Sequence, residues 1–148
     1  MDTRQFGEKL VNVVYQPRPS VYAVIFDNSD RVLVIFKREM YFLPGGGIDQ
    51  GETERAALIR ECLEETGHEI VMGESLGRAD QYCFAPVQRK YVNKLGTFYR
   101  AILDNQAAHP VLEAHKIKWV TVAEFETRPA HESHLWAVKQ ALRTGTNS

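Results

Sequence analysis

Within the run RECLEETG, Arg60, Glu61, Glu64 and Glu65 set three acids and one base at helical spacings. Wound into a helix, positions three and four apart share a face, so the carboxylates of Glu61, Glu64 and Glu65 project together. Hard divalent ions such as Mg²⁺ or Mn²⁺ take oxygen ligands of this kind, with water and a substrate phosphate completing the shell. The competing reading is an ordinary solvated acidic face, because glutamate is a good helix former wherever it lies. Two further features shift the balance toward chemistry. Gly45, Gly46 and Gly47 stand upstream, where the lack of side chains lets backbone groups come close to an ion or a phosphate. Glu52 lies eight residues before Arg60, the cation able to orient or partly neutralise the cluster.

Such side chains need a rigid support. Residues 54–66 are rich in Glu, Ala, Leu and Arg and lack Gly and Pro, with Thr53 as a cap and Gly67 as a stop. That predicts a helix of about four turns. Ala56, Ile59 and Leu63 recur at helical spacing and are expected to dock it on a sheet. The preceding YFLPGGGIDQGE (41–52) is expected to be loop, since Pro44 and the glycines oppose regular structure. VYAVIF at 21–26 and VLVIF at 32–36 are apolar at odd and even positions around a polar turn. They predict a hairpin covered on both faces by helices. Further strands are expected from HEIVMGESLGRA, YCFAPV and KYVNKLGTFYRAIL between His68 and Leu103, and from IKWVTV at 117–122. After Pro129 a last helix is expected at about 131–143, with Leu135, Val138 and Leu142 on one side. The order predicts an α/β (α+β) chain, a mixed sheet between helical layers.

At 148 residues the chain has room for one domain, taken as residues 1–148. A net charge of -1, from 18 basic and 19 acidic residues, argues against a general nucleic-acid coat or a membrane-surface role. Any affinity for phosphate must be local. Asp2, Arg4, Glu8 and Lys9 interrupt the N-terminus, so no secretory signal is expected. The longest apolar runs are too short to cross a bilayer as helices. Cys62 and Cys83 lack CxxC spacing and read as reduced core thiols, which fits a cytoplasmic location.

From Gly46, five residues lead to Glu52 and seven more to Arg60 and Glu61; then come Cys62, a free position, Glu64, Glu65, a free position and Gly67. That pattern resembles the Nudix box, the signature of hydrolases that cleave nucleoside diphosphates linked to another moiety. Leu43, Pro44 and Gly45 fit the family as well. Cys62 and His68 stand where the family usually has Ile, Leu or Val, and Asp49 where relatives often carry Glu, but none of these removes a ligand. The resemblance implies a Nudix-like α/β/α sandwich with a mixed sheet and a pyrophosphohydrolase acting on a nucleoside triphosphate or nucleotide derivative. It implies that Glu61, Glu64 and Glu65 hold Mg²⁺ or Mn²⁺, joined by a main-chain carbonyl of Gly45 or Gly46. Glu52 and Arg60 would form a salt bridge that aims those carboxylates. The ions would clamp the pyrophosphate and lower the pKa of an attacking water, with Glu61 or Glu64 as the general base. The alternative is a non-catalytic sensor on the same fold. A dinucleotide-dependent oxidoreductase would need GxGxxG, which GGGIDQG at 45–51 does not provide.

Several relatives bring another acid from a late strand ending in Trp; here Lys116 and Lys118 precede Trp119. Either Glu113 substitutes from the preceding loop, or the helix carboxylates act alone while a lysine meets substrate phosphate. Lys37, Arg38 and Arg100 are candidate phosphate or ribose contacts, beside the backbone of Gly45 and Gly46, although strand-end cations are most often just solvated. HESH at 131–134 spaces its histidines three apart and not four, so His131 and Glu132 read as ordinary residues of a helix start, with Trp136 in the core. Tyr82 and Pro86 do not decide the substrate. The expected partner is a small nucleotide, bound by a monomer or a homodimer.

Overall fold

The computed structural model describes residues 3–108 and 116–144. Eleven elements follow in chain order: β1 Thr3–Phe6, β2 Gln16–Val24, β3 Val32–Lys37, β4 Met40–Phe42, β5 Gly45–Gly47, α1 Glu54–Thr66, β6 His68–Ala85, β7 Lys90–Ala108, β8 Lys116–Val120, α2 Val122–Thr127 and α3 Glu132–Thr144. One sheet has the order β1-β6-β7-β2-β5 and a second the order β4-β3-β8. The first is mixed, because β2 runs parallel to β7 and β1 to β6, while β6 and β7 form a long antiparallel hairpin.

Strand pleat sorts the core onto two faces. Val21, Ala23, Ile25 and Leu33 pack with Ala57, Leu58 and Cys62 of α1. The alternate residues Tyr22, Val24, Val32 and Val34 pack with Phe125 of α2 and Ala137, Val138 and Ala141 of α3. Side chains of a strand alternate between faces, so runs that are apolar at every position are buried on both. The fold is therefore an α/β sandwich with α1 on one face and α2 and α3 on the other, as the apolar runs predict.

Four local expectations need correction. The segments 21–26 and 32–36 do not form one continuous hairpin. They touch through the Phe26–Val32 bridge and the Leu33 N–H donated to Ile25 O, then part into different sheets. The reason is edge occupancy: Ser20, Val21 and Tyr22 already pair with β5, which releases β3 to β4 and β8. The stretch 41–52 is not all loop, since its glycines form β5 and Met40–Phe42 forms β4. On α1 the buried residues are Ala57, Leu58, Cys62 and Thr66; Ile59 packs against that core partly buried, as expected, but Ala56 is exposed and Leu63 only half-buried, so the docking face is rotated from the expected one. Leu142, expected on the packed side of the last helix, is 45% exposed, and Ala141 is buried instead.

Candidate functional site

Thr53 and Gly67 bound the acidic helix as their residue types require. The Thr53 hydroxyl accepts from Ala56 N–H at 3.0 Å, and Gly67, in the left-handed conformation, donates its N–H to Leu63 O at 2.9 Å. Ahead of the helix, Asp49 N–H donates to Glu52 Oε1 at 2.9 Å while Glu52 N–H donates to Asp49 O at 2.9 Å. That turn delivers Glu52 to Arg60, which grips it through Nε at 2.7 Å and Nη2 at 2.9 Å. A two-point grip of this kind fixes orientation as well as charge. Arg60 holds the Glu52 carboxyl down at about 2. The same guanidinium donates to Gly47 O at 3.1 Å and to Glu61 Oε2 at 3.0 Å, and stands 3.6 Å from Glu64 Oε1. Arg60 thus ties together the glycine strand, the turn and two of the three box carboxylates.

Glu65 points elsewhere, accepting from Gly45 N–H at 2.9 Å. Burial, more than any other influence, pushes its carboxyl up to about 8 against the pull of that N–H. Burial also raises Glu61, with Arg60 opposing. Glu64 is 60% exposed along its side chain. The glycines are shaped to these acids: a Cβ on Gly46 would lie 2.8 Å from the Glu61 carboxylate, and one on Gly45 would lie 2.2 Å from Val21 O. Gly45 also takes φ 140°, which side chains rarely adopt.

As the side chains stand, no three His, Cys, Asp or Glu groups among the described residues converge closely enough to share a metal ion. Glu61 and Glu64 turn to Arg60, and Glu65 turns to Gly45. The donor chemistry nonetheless fits a hard divalent cation. Every side-chain donor is a carboxylate oxygen, and burial of Glu61 and Glu65 disfavours their charge unless a cation offsets it.

Other sequence candidates fall into distinct places. Lys37 and Arg38 line a cavity beside the glycine strand, each over the Phe42 ring at 5.1 Å and 5.6 Å. Lys118 stands 4.3 Å over the Phe36 ring, and no ion pair joins Lys116 or Lys118 to a box carboxylate among the described residues. Arg100 meets Glu74 at 3.3 Å and the Ala141 carbonyl, so it joins the sheet to α3. Glu113 lies outside the described residues. HESH does more than begin a helix: His134 Nδ1 accepts Leu43 N–H at 3.1 Å, pinning the chain just before the glycines, and Glu132 accepts Gly7 N–H at 3.0 Å. His131 accepts from Lys94 Nζ at 3.1 Å in the cavity. Sequence alone missed Arg18, Lys94 and His131 as site neighbours, because nothing local in sequence links cavity-lining residues drawn from β2, β7 and the approach to α3. Trp136 packs partly buried against the core, as expected.

Residues 16–142 match the family model of the NUDIX domain. A Bacillus subtilis (strain 168) protein provisionally named 8-oxo-dGTP diphosphatase is 28% identical over 103 residues, 68% of this chain and 64% of its own length. An 8-oxo-(d)GTP phosphatase of Mycolicibacterium smegmatis is 61% identical over 36 residues, 24% of this chain and 11% of that one. The matched stretches span less than two thirds of these curated relatives. Among solved structures, a NUDIX hydrolase from Nitrosomonas europaea aligns with a TM-score of 0.72 at 19% identity, covering 86% of this chain and 90% of that one. At that identity the likeness shows the fold.

Proposed function

Because the chain belongs to the NUDIX family, we propose that it hydrolyses a pyrophosphate linkage in a nucleotide derivative, using a divalent ion held at α1. The observation that carries this reading is the pair of half-buried carboxylates, Glu61 and Glu65, set against Gly46 and Gly45 with Arg60 locked to Glu52 beside them. Glu61, Glu64 and Glu65, with a main-chain carbonyl of Gly45 or Gly46, are the groups that would hold Mg²⁺ or Mn²⁺. Such an ion, when bound, supplies charge neutralisation for the pyrophosphate oxygens and a lowered pKa for the attacking water. The chain's own residues do the rest. Glu52 and Arg60 keep the helix registered against β5, so the carboxylates meet the substrate at a fixed distance. Glu61 or Glu64 takes the proton of the attacking water. The glycines leave room for the diphosphate to lie along the backbone.

Bond cleavage gives a nucleotide and a second phosphate ester, or a monophosphate and pyrophosphate. The names of the Bacillus and Mycolicibacterium relatives make oxidised guanine triphosphates the first substrates to try. The test is the full chain with Mg²⁺ on nucleoside triphosphates, 8-oxo-dGTP, ADP-ribose, NADH and sugar nucleotides, beside Glu64→Gln. At least one substrate is expected to release phosphate products, and Glu64→Gln is expected to lose about 100-fold or more in rate while staying folded. Binding without turnover across the panel assigns the chain to the sensor reading instead.

A further inference from the structure

Directional contacts from α1 to the sheet reach two different strands. Arg60 and Glu65 tie the helix to β5 and to the turn between them. Glu54, in the first turn, reaches β7, two strands in from β5. Its Oε2 accepts from Thr97 Oγ1 at 3.0 Å and its Oε1 accepts from the Tyr99 hydroxyl. Thr97 and Tyr99 are two apart, so both project from one face of the strand. That face is the one α1 covers, since Tyr99 packs against the core cluster that holds Ala57, Leu58 and Cys62. Among the described residues no other side chain of α1 hydrogen-bonds to β2 or β7, and no lysine or arginine pairs with Glu54. Thr97 is buried, and a buried hydroxyl without a partner is costly, so the packing requires its bond to Glu54. Burial first, then Glu54, pushes the Tyr99 phenol up to about 12, which keeps it a donor across neutral pH. The free N–H groups of a helix start also favour a carboxylate there.

Strand β7 also serves the cavity beside the glycines. Lys94, three positions before Thr97, projects from the opposite face and lines that cavity with Arg18 of β2 and His131. Arg60 fixes the acids of α1 relative to the glycine strand, but its partners Glu52, Gly47 O, Glu61, Glu64 and Asp49 all belong to α1, β5 or the turn joining them. Apolar packing of the helix on the sheet is non-directional and tolerates small slides, whereas two hydrogen bonds from set strand positions do not. We propose that Glu54, held by Thr97 and Tyr99, is a positioning residue for hydrolysis, setting the carboxylates of α1 at a fixed distance from the cavity residues of β2 and β7. Glu54 stands seven residues, about two turns, before Glu61, and acts through the helix and not at the reacting atoms. This assignment rests on the pyrophosphohydrolase reading above, and its test separates the two.

The experiment compares the full chain with Glu54→Ala, Glu54→Gln, the double variant Thr97→Val with Tyr99→Phe, and the triple variant that joins Glu54→Ala to that pair. The substrate is the member of the panel above that the wild type hydrolyses fastest, and Mn²⁺ affinity and the urea midpoint are read beside the kinetics. Glu54→Ala and the double variant are each expected to lower kcat about tenfold or more, with KM and Mn²⁺ affinity kept within about threefold, because each half of the site stays intact and only their spacing changes. Glu54→Gln keeps its length and an acceptor oxygen, and is expected to recover most of kcat. The triple variant is expected to cost no more than the double variant, since one clamp is removed in both. If Glu54→Ala, which strands the Thr97 hydroxyl, does not fold, the double variant carries the test, as its replacements keep the shape of both side chains. A lowered urea midpoint with unchanged kcat in the folded variants marks a clamp that serves stability alone and overturns the proposal. Additive losses in the triple variant, or a fall in Mn²⁺ affinity as large as the fall in kcat, overturn it as well. Absence of hydrolysis by the wild type overturns the pyrophosphohydrolase reading and takes this assignment with it, whereas wild-type turnover with full kcat in the variants overturns the assignment alone.

Discussion

Gly45 and Gly46 are adjacent, yet a methyl group on each should do opposite things. On Gly45 it meets main-chain atoms, Val21 O at 2.2 Å and Tyr22 Cα at 2.7 Å, in a conformation a side chain resists. Gly45→Ala is therefore expected to cost about 3 kcal/mol or more of stability, visible as a lowered urea midpoint. On Gly46 the methyl's three nearest neighbours are all atoms of the Glu61 carboxylate, the end of a side chain that can swing away. Gly46→Ala is expected to keep its stability within about 1 kcal/mol and to lose about tenfold or more in turnover, because Glu61 is displaced. Equal stability for the two variants would remove the distinction. At this scale the sequence was legible where spacing is local: Glu52, Arg60, Glu61, Glu64 and Glu65 lie on one turn and one helix, and the Arg60–Glu52 pair stands as the box resemblance implies. It was opaque where distant segments meet. Lys94 and His131 are 37 positions apart, and no local pattern announces their contact.

Helix α1 shows how an element can be read correctly in extent and wrongly in orientation. Its limits agree with the cap and stop residues, 54–66. Its buried stripe keeps Ile59 only at its margin and leaves out Ala56 and Leu63, because the helix must also offer Glu61 and Glu65 to the glycine strand, and small or slender Ala57 and Cys62 permit close approach to the sheet. The glycine segment was misread because breakers of regular structure can still pair at a sheet edge, where β5 has β2 on one side. Registration of α1 against β5 runs through one guanidinium, which reaches Glu52, Gly47 O and Glu61 at once. A lysine keeps the charge but cannot span those acceptors. Arg60→Lys is accordingly expected to lose about 10- to 100-fold in kcat with the fold retained, as read by steady-state kinetics and far-UV circular dichroism. Near-normal kcat would show that the registration does not matter.

Across the whole molecule, α/β layering was legible because double-sided apolar strands demand cover on both faces. The division into two sheets was not, since pairing partners are chosen between segments far apart in the chain. Burial on this scale leaves a pH signature. His131 takes up a proton only near pH 3, against an ordinary value of 6.5, because burial first and then Lys94 and Arg38 disfavour its charge. Below 6.5 the unfolded chain binds a proton that the folded chain refuses, so this share of stability is complete above 6.5 and is lost as pH falls toward 3. His134, enclosed by rings, is lowered for the same first reason. Glu65, raised by burial, acts in the opposite sense, so a variant and not the bare curve isolates the histidine. The urea midpoint of the wild type is expected to fall more steeply between about pH 7 and about pH 5 than that of His131→Gln; parallel curves would refute the assignment. The claim on which all else depends is that the acids of α1 hold a divalent ion, and a Mn²⁺ titration followed by electron paramagnetic resonance reads it without any substrate. Wild-type protein should take up Mn²⁺ with Glu61→Gln at least about tenfold weaker, whereas no uptake, or identical uptake by a folded Glu61→Gln, would contradict the account.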